Sequence, residues 1–128
     1  MYRNREFKHR TFLESFTNSC KGLGYIIRHE RNARRMILLA IGALMLGTIF
    51  HLSVTEWSIV MLTIGMVICC EIINTLVEYL ADLFRRKYDN RIKVLKDMAS
   101  AAPLFASTIA LIVAALIFLP KIVESFKY

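Results

Sequence analysis

The sequence predicts an all-α integral membrane protein: one N-terminal amphipathic surface helix followed by three transmembrane helices, in a single domain over residues 1–128. Three observations carry this. Hydrophobic residues make up 56% of the chain and collect in runs at 36–52, 57–80 and 103–119, each long enough to be read as a membrane span. Basic residues alternate between the connections as membrane topology requires. The segment before the first run has one apolar face and one charged face.

In the N-terminal segment, Phe12, Phe16, Cys20, Leu23 and Ile27 fall within about 80° of one another at 100° per residue, with Lys21 and Arg28 opposite. This predicts a helix over about 7–29 lying on the inner membrane surface. The spans follow at about 33–52, 57–83 and 99–120, with flanking residues extending the shorter apolar runs. Pro103 and Pro120 are expected near the start and the end of the third span, where proline is tolerated.

Lys and Arg number nine in residues 1–35 and six in 84–98, whereas the turn "HLSVTE" (51–56) has none. Positive charge marks the cytoplasmic side, which places the N-terminus and the 84–98 loop in the cytoplasm. The net charge of +7 then reflects topology and anionic headgroups, and no nucleic-acid partner is expected. The three cysteines show neither a C-x-x-C pair nor a Cys/His ligand spacing, which argues against zinc or redox chemistry. Cys69 and Cys70 are expected to be small, buried and inert.

The second span carries "CCEIINTLVEYLAD" (69–82). On a helix, Glu71, Asn74, Glu78 and Asp82 share an arc of about 80°. With Trp57 at the outer interface, about 30 Å of hydrocarbon ends near residue 77. Glu78 then sits at the inner boundary and Glu71 about 10 Å deeper. Asp82 reads as a solvated anchor, but that reading fails for a carboxylate as deep as Glu71, so Glu71 is a functional candidate. Topology brings Glu30, in "RHERNARR", and Asp97, in "KVLKDMAS", to the same face as Glu78. Magnesium takes one or two carboxylates together with phosphate oxygens and water, and Lys96 adds a point charge suited to phosphate. No G-x-x-x-x-G-K-[ST] loop and no protein-kinase signature is present. A small proton-coupled transporter would also use a membrane glutamate, but it would not explain acids clustered toward one face beside a Lys-Asp pair.

The pattern "ExxNTxxEYxxD" (71–82) followed by "KDMASAA" (96–102) resembles the signature of the prokaryotic diacylglycerol kinase family. The resemblance continues through "FLESF", "KGLGY", "ERN", "EWSI" and "FLPK", from about Phe12 to Lys121. "ERN" and "EWSI" are more similar to the undecaprenol kinase branch than to the enterobacterial diacylglycerol branch. The resemblance implies a bacterial inner (cell) membrane lipid kinase that transfers the γ-phosphoryl of Mg-ATP to a lipid alcohol, most closely undecaprenol, with diacylglycerol as the alternative. It implies Glu71 as catalytic base at the lipid hydroxyl, and Glu30 and Glu78 as the glutamates holding Mg2+ at the ATP phosphates. Lys87, Tyr88, Asp89, Lys96 and Asp97 match nucleotide-contacting positions. Asn74 matches a polar residue supporting the active site, and Ser100 a position near the acceptor lipid. A homotrimer with active sites shared between neighbouring subunits is implied as well. Three positions depart from the family pattern: Asp89 stands where His is usual, and Thr11 and Glu14 stand where basic residues are frequent.

Overall fold

The computed structural model describes residues 11–84 and 89–127. Every regular element in them is helical: α1 (Phe12–His29), α2 (Arg31–Ile49), α3 (Val54–Leu83) and α4 (Asn90–Ser125). The last three are long and apolar enough to cross a membrane.

Local chemistry sets the boundaries. Thr11 is the N-cap of α1 and forms a reciprocal capping box with Glu14, satisfying two backbone donors that the helix start would leave unpaired. Two of the three departures from the family pattern are therefore a helix-start device, legible as T-x-x-E. Residues 7–10 of the expected surface helix lie outside the described residues. Glu30, with extended backbone (φ −99°, ψ 117°), is the single break between α1 and α2. The guanidinium of Arg34 pins this break by donating to the carbonyls of Arg28 (2.7 Å) and Ile27 (3.4 Å) at the end of α1.

α2 ends three residues before the expected end of the first span. The amide of Leu52 donates to the carbonyl of Gly47 (3.1 Å) and that of His51 to Thr48 (3.3 Å), the paired bonds of a Schellman stop. His51 occupies the left-handed position, with φ 49°. Ser53 and Glu56 then form a second capping box that starts α3. The main apolar core lies at this end of the bundle: Leu52, Val60 and Phe118 are buried, with Trp57, Ile64 and Ile117 packed around them. Lys121 reaches Glu56 (3.2 Å), tying the end of α4 to the start of α3.

The 84–98 loop needs the largest correction. α4 begins at Asn90, so most of the 84–98 segment is helix, and α4 is longer than the roughly 20 residues that a bilayer crossing needs. Asp89 explains the early start: its carboxylate accepts from the amide of Arg91 at 2.9 Å, an N-cap that the basic run after it can extend. Pro103 and Pro120 consequently lie inside the 36-residue helix rather than at its ends, as proline can in membrane helices where neighbours satisfy the freed carbonyls. Cys69 is exposed and Cys70 half-buried, so neither is a buried core residue within this chain. α3 and α4 make the most extensive helix pairing. Large apolar side chains face outward, Leu62 and Leu111 each more than 70% exposed. Hydrocarbon can solvate such faces, whereas water would not.

Candidate functional site

The polar face of α3 begins at Glu71. It is buried at 6% exposure, and Asn74 and Thr75 beside it are buried as well. A helix can carry such residues through an apolar environment because its backbone is internally bonded, but the side chains still need partners. Glu71 finds one on another helix: Asn32, in the first turn of α2, donates from Nδ2 to Glu71 Oε1 at 2.7 Å. Asn74 donates from Nδ2 to Glu78 Oε1 at 3.2 Å, one turn further along the face. Its own Oδ1 is buried without a hydrogen-bond partner among the described residues. An orphaned acceptor in such a place invites a donor or a cation.

Glu78 is half-buried, as is Glu30 at the α1–α2 break. The side chain of Tyr79, adjacent to Glu78, faces Glu30 and Tyr25. Tyr25 in turn stacks on His29, with ring centroids 4.1 Å apart. An aromatic and polar cluster thus joins the end of α1 to the part of α3 that carries Glu78. Among the described residues no group of three or more His, Cys, Asp or Glu side chains gathers as a complete metal cage.

Lys96 and Asp82 meet across the α3–α4 connection, Nζ to Oδ1 at 3.0 Å. Asp82 is therefore an ion-pair partner and not only a solvated anchor. Asp97 and Ser100 are exposed on α4; the Ser100 hydroxyl donates to the Asp97 carbonyl at 2.8 Å, which leaves the Asp97 carboxylate free of that bond. The Asp89 carboxylate is engaged by the start of α4. Lys87 and Tyr88 lie outside the described residues.

An apolar cavity of about 320 Å3 runs between α2, α3 and α4, lined by Met36, Val60, Val67, Ile68, Leu111 and Phe118 among others. Ile68, in this lining, lies one helical turn from Glu71, which does not itself line the cavity. Chemically, the face offers a buried carboxylate with one oxygen held by an amide, one helical turn along α3 from a residue that lines apolar volume. Half-buried hard-oxygen donors and a lysine follow toward the α3–α4 connection.

Asn32 and Tyr79 were not singled out as site residues by the sequence reading. Both sit inside quoted motifs, "ERN" and "EYxxD". Asn32 stands among Arg31, Arg34 and Arg35 ahead of the apolar run, so apart from its motif no local signal distinguishes it.

Residues 17–118 match the family model described as prokaryotic diacylglycerol kinase. The undecaprenol kinase of Bacillus subtilis (strain 168) is 35% identical over 111 residues, covering 87% of this chain and 90% of that protein. The diacylglycerol kinase of a Synechocystis species is 29% identical over 113 residues, covering 88% of this chain but only 65% of its own length. No solved structure matches the chain with significance.

Proposed function

The chain belongs to the prokaryotic diacylglycerol kinase family and is an ATP-dependent lipid kinase, and from that premise we propose that its acceptor is undecaprenol, phosphorylated at the inner membrane face. The observation that carries the site assignment is Glu71: a carboxylate 6% exposed in a 30-residue apolar helix, with a dedicated hydrogen-bond donor.

In this reading Glu71 accepts the proton of the lipid hydroxyl as its oxygen attacks the γ-phosphorus, and ADP leaves. The hydroxyl of a membrane lipid sits just beneath the headgroups, which is why its base must be within the membrane. The apolar volume beginning one turn from Glu71 suits the lipid's body. Glu30 and Glu78 would hold Mg2+. Two carboxylates without a third acid fit an ion that retains waters and takes further oxygens from the nucleotide phosphates, and the orphaned Asn74 Oδ1 adds a hard oxygen at that level. Magnesium, when bound, supplies charge neutralisation at the transferring phosphoryl group. Lys96 contributes a further positive charge, and Asp97, with Lys87, Tyr88 and Asp89, contacts the nucleotide. Asn74 supports the site, and Ser100 lies by the acceptor. Positioning and electrostatics then account for most of the rate.

The proposal includes the orientation that the charges suggest, with the N-terminus and the 84–98 segment cytoplasmic and α1 on the inner surface of a bacterial cell membrane. It also includes a homotrimer with shared sites, whose packing together with lipid would cover the apolar flanks of the single chain. Purified protein in mixed micelles, given radiolabelled ATP, should label undecaprenol in preference to diacylglycerol. The reverse preference would reassign the acceptor, and no labelled lipid with either would reject the proposed chemistry.

A further inference from the structure

We infer that Asn32 is the positioning residue for Glu71, holding its carboxylate so that Oε2 rather than Oε1 faces the lipid hydroxyl. The inference rests on the proposed role of Glu71 as base and adds to it a residue from another helix.

The geometry is specific. The Nδ2–Oε1 distance of 2.7 Å is at the short end for N–H···O bonds, as charge-assisted bonds are. An ionised carboxylate only accepts hydrogen bonds, so chemistry fixes which edge of the Asn32 amide is presented. Asn74, the other amide on this face, spends its donor on Glu78. Asn32 thus holds Glu71 at Oε1, and Oε2 is not among the buried atoms left without a partner in the described residues. A glutamate side chain has three torsions, and without a partner its carboxylate would sample several staggered positions. The bond spans 39 residues of sequence and links the first turn of α2, two residues after Glu30, to the buried face of α3. Base placement is thereby coupled to the helix start that also carries a proposed magnesium ligand.

Misplacing a reacting group by about an ångström can cost on the order of 10²-fold in rate. The test is steady-state kinetics of the full chain in proteoliposomes for Asn32→Leu, Asn32→Gln, Glu71→Gln and the Asn32→Leu/Glu71→Gln double variant. Asn32→Leu should lower kcat by about 10- to 100-fold with the KM for Mg-ATP unchanged. Asn32→Gln, which keeps the amide, should recover part of the loss. In the Glu71→Gln background Asn32→Leu should add nothing, because residues that act as a unit are not additive.

Full turnover in Asn32→Leu alongside a crippled Glu71→Gln would overturn the positioning role and leave the base standing. A loss that persists in the double variant would make Asn32 a structural residue and equally overturn it. Undiminished turnover in Glu71→Gln would remove the base and this inference together. If Asn32→Leu does not purify folded, Asn32→Gln carries the same cycle: a loss abolished by Glu71→Gln supports positioning, and one that persists, or no loss at all, overturns it.

Discussion

Lys96 and Asp82 pair across the α3–α4 connection at 3.0 Å, the one on α4 and the other in the last turn of α3. Both side chains keep a third or more of their surface open, so the pair contributes little to stability, about 0–1 kcal/mol as exposed pairs do. Its significance is placement: the ammonium is held at the end of the acidic face, where the proposed nucleotide contact would exchange Asp82 for a phosphate.

Asp82→Asn should therefore leave thermal stability nearly unchanged. Lys96→Met should raise the KM for ATP, because it removes the proposed phosphate contact. Equilibrium nucleotide binding and a thermal melt of the two variants check both halves. Wild-type nucleotide affinity in Lys96→Met would remove Lys96 from the site.

Glu71→Gln preserves size and hydrogen bonding but removes the proposed proton acceptor, so kcat should fall by roughly 10²–10⁴-fold, the usual weight of general base catalysis. Mg-ATP affinity should persist, since Glu30, Glu78 and Lys96 are untouched. Glu71→Asp, one methylene short, should retain more turnover than Glu71→Gln. Parallel loss of nucleotide binding and turnover would make Glu71 a ligand or a structural residue.

Glu30→Gln and Glu78→Gln each remove a hard anionic oxygen. Each should raise the magnesium concentration needed for half-maximal rate, or abolish activity. Glu14→Gln should do little, because glutamine also completes a capping box. Magnesium titrations of the three variants test this, and unchanged dependence in the first two would exclude them as ligands.

The α2–α3 turn gives a stability prediction free of any functional assumption. A methyl group on Gly47 would lie 2.6 Å from the Trp57 ring and 3.0 Å from Leu52, both part of the core around that turn. Gly47→Ala should destabilise by about 1–3 kcal/mol, the range for overpacking. His51→Gly should stabilise or be neutral, by up to about 1 kcal/mol, since it relieves the left-handed backbone of a non-glycine residue. Thermal melts in detergent measure both, and a more stable Gly47→Ala would contradict the packing described.

What the sequence determined by itself is what depends on near neighbours along the chain. Apolar runs gave three spanning helices, and the 100° periodicity put Glu71, Asn74 and Glu78 on one face of α3, where Glu71 and Asn74 are buried. Helix ends are equally local. The capping chemistry of Thr11 with Glu14 and of Asp89 is present in the sequence, and it is the Asp89 cap that makes residues 90–98 helix where a loop is expected. The pairings that make a row of acids into a candidate site are of another kind. Asn32 meets Glu71, Lys96 meets Asp82 and Glu56 meets Lys121 over separations of 14 to 65 residues. No local hydrogen bond or periodicity encodes these contacts. They follow from how α2 and α4 pack against α3, set by which side chains interdigitate along the helices, and only the tertiary structure decided them.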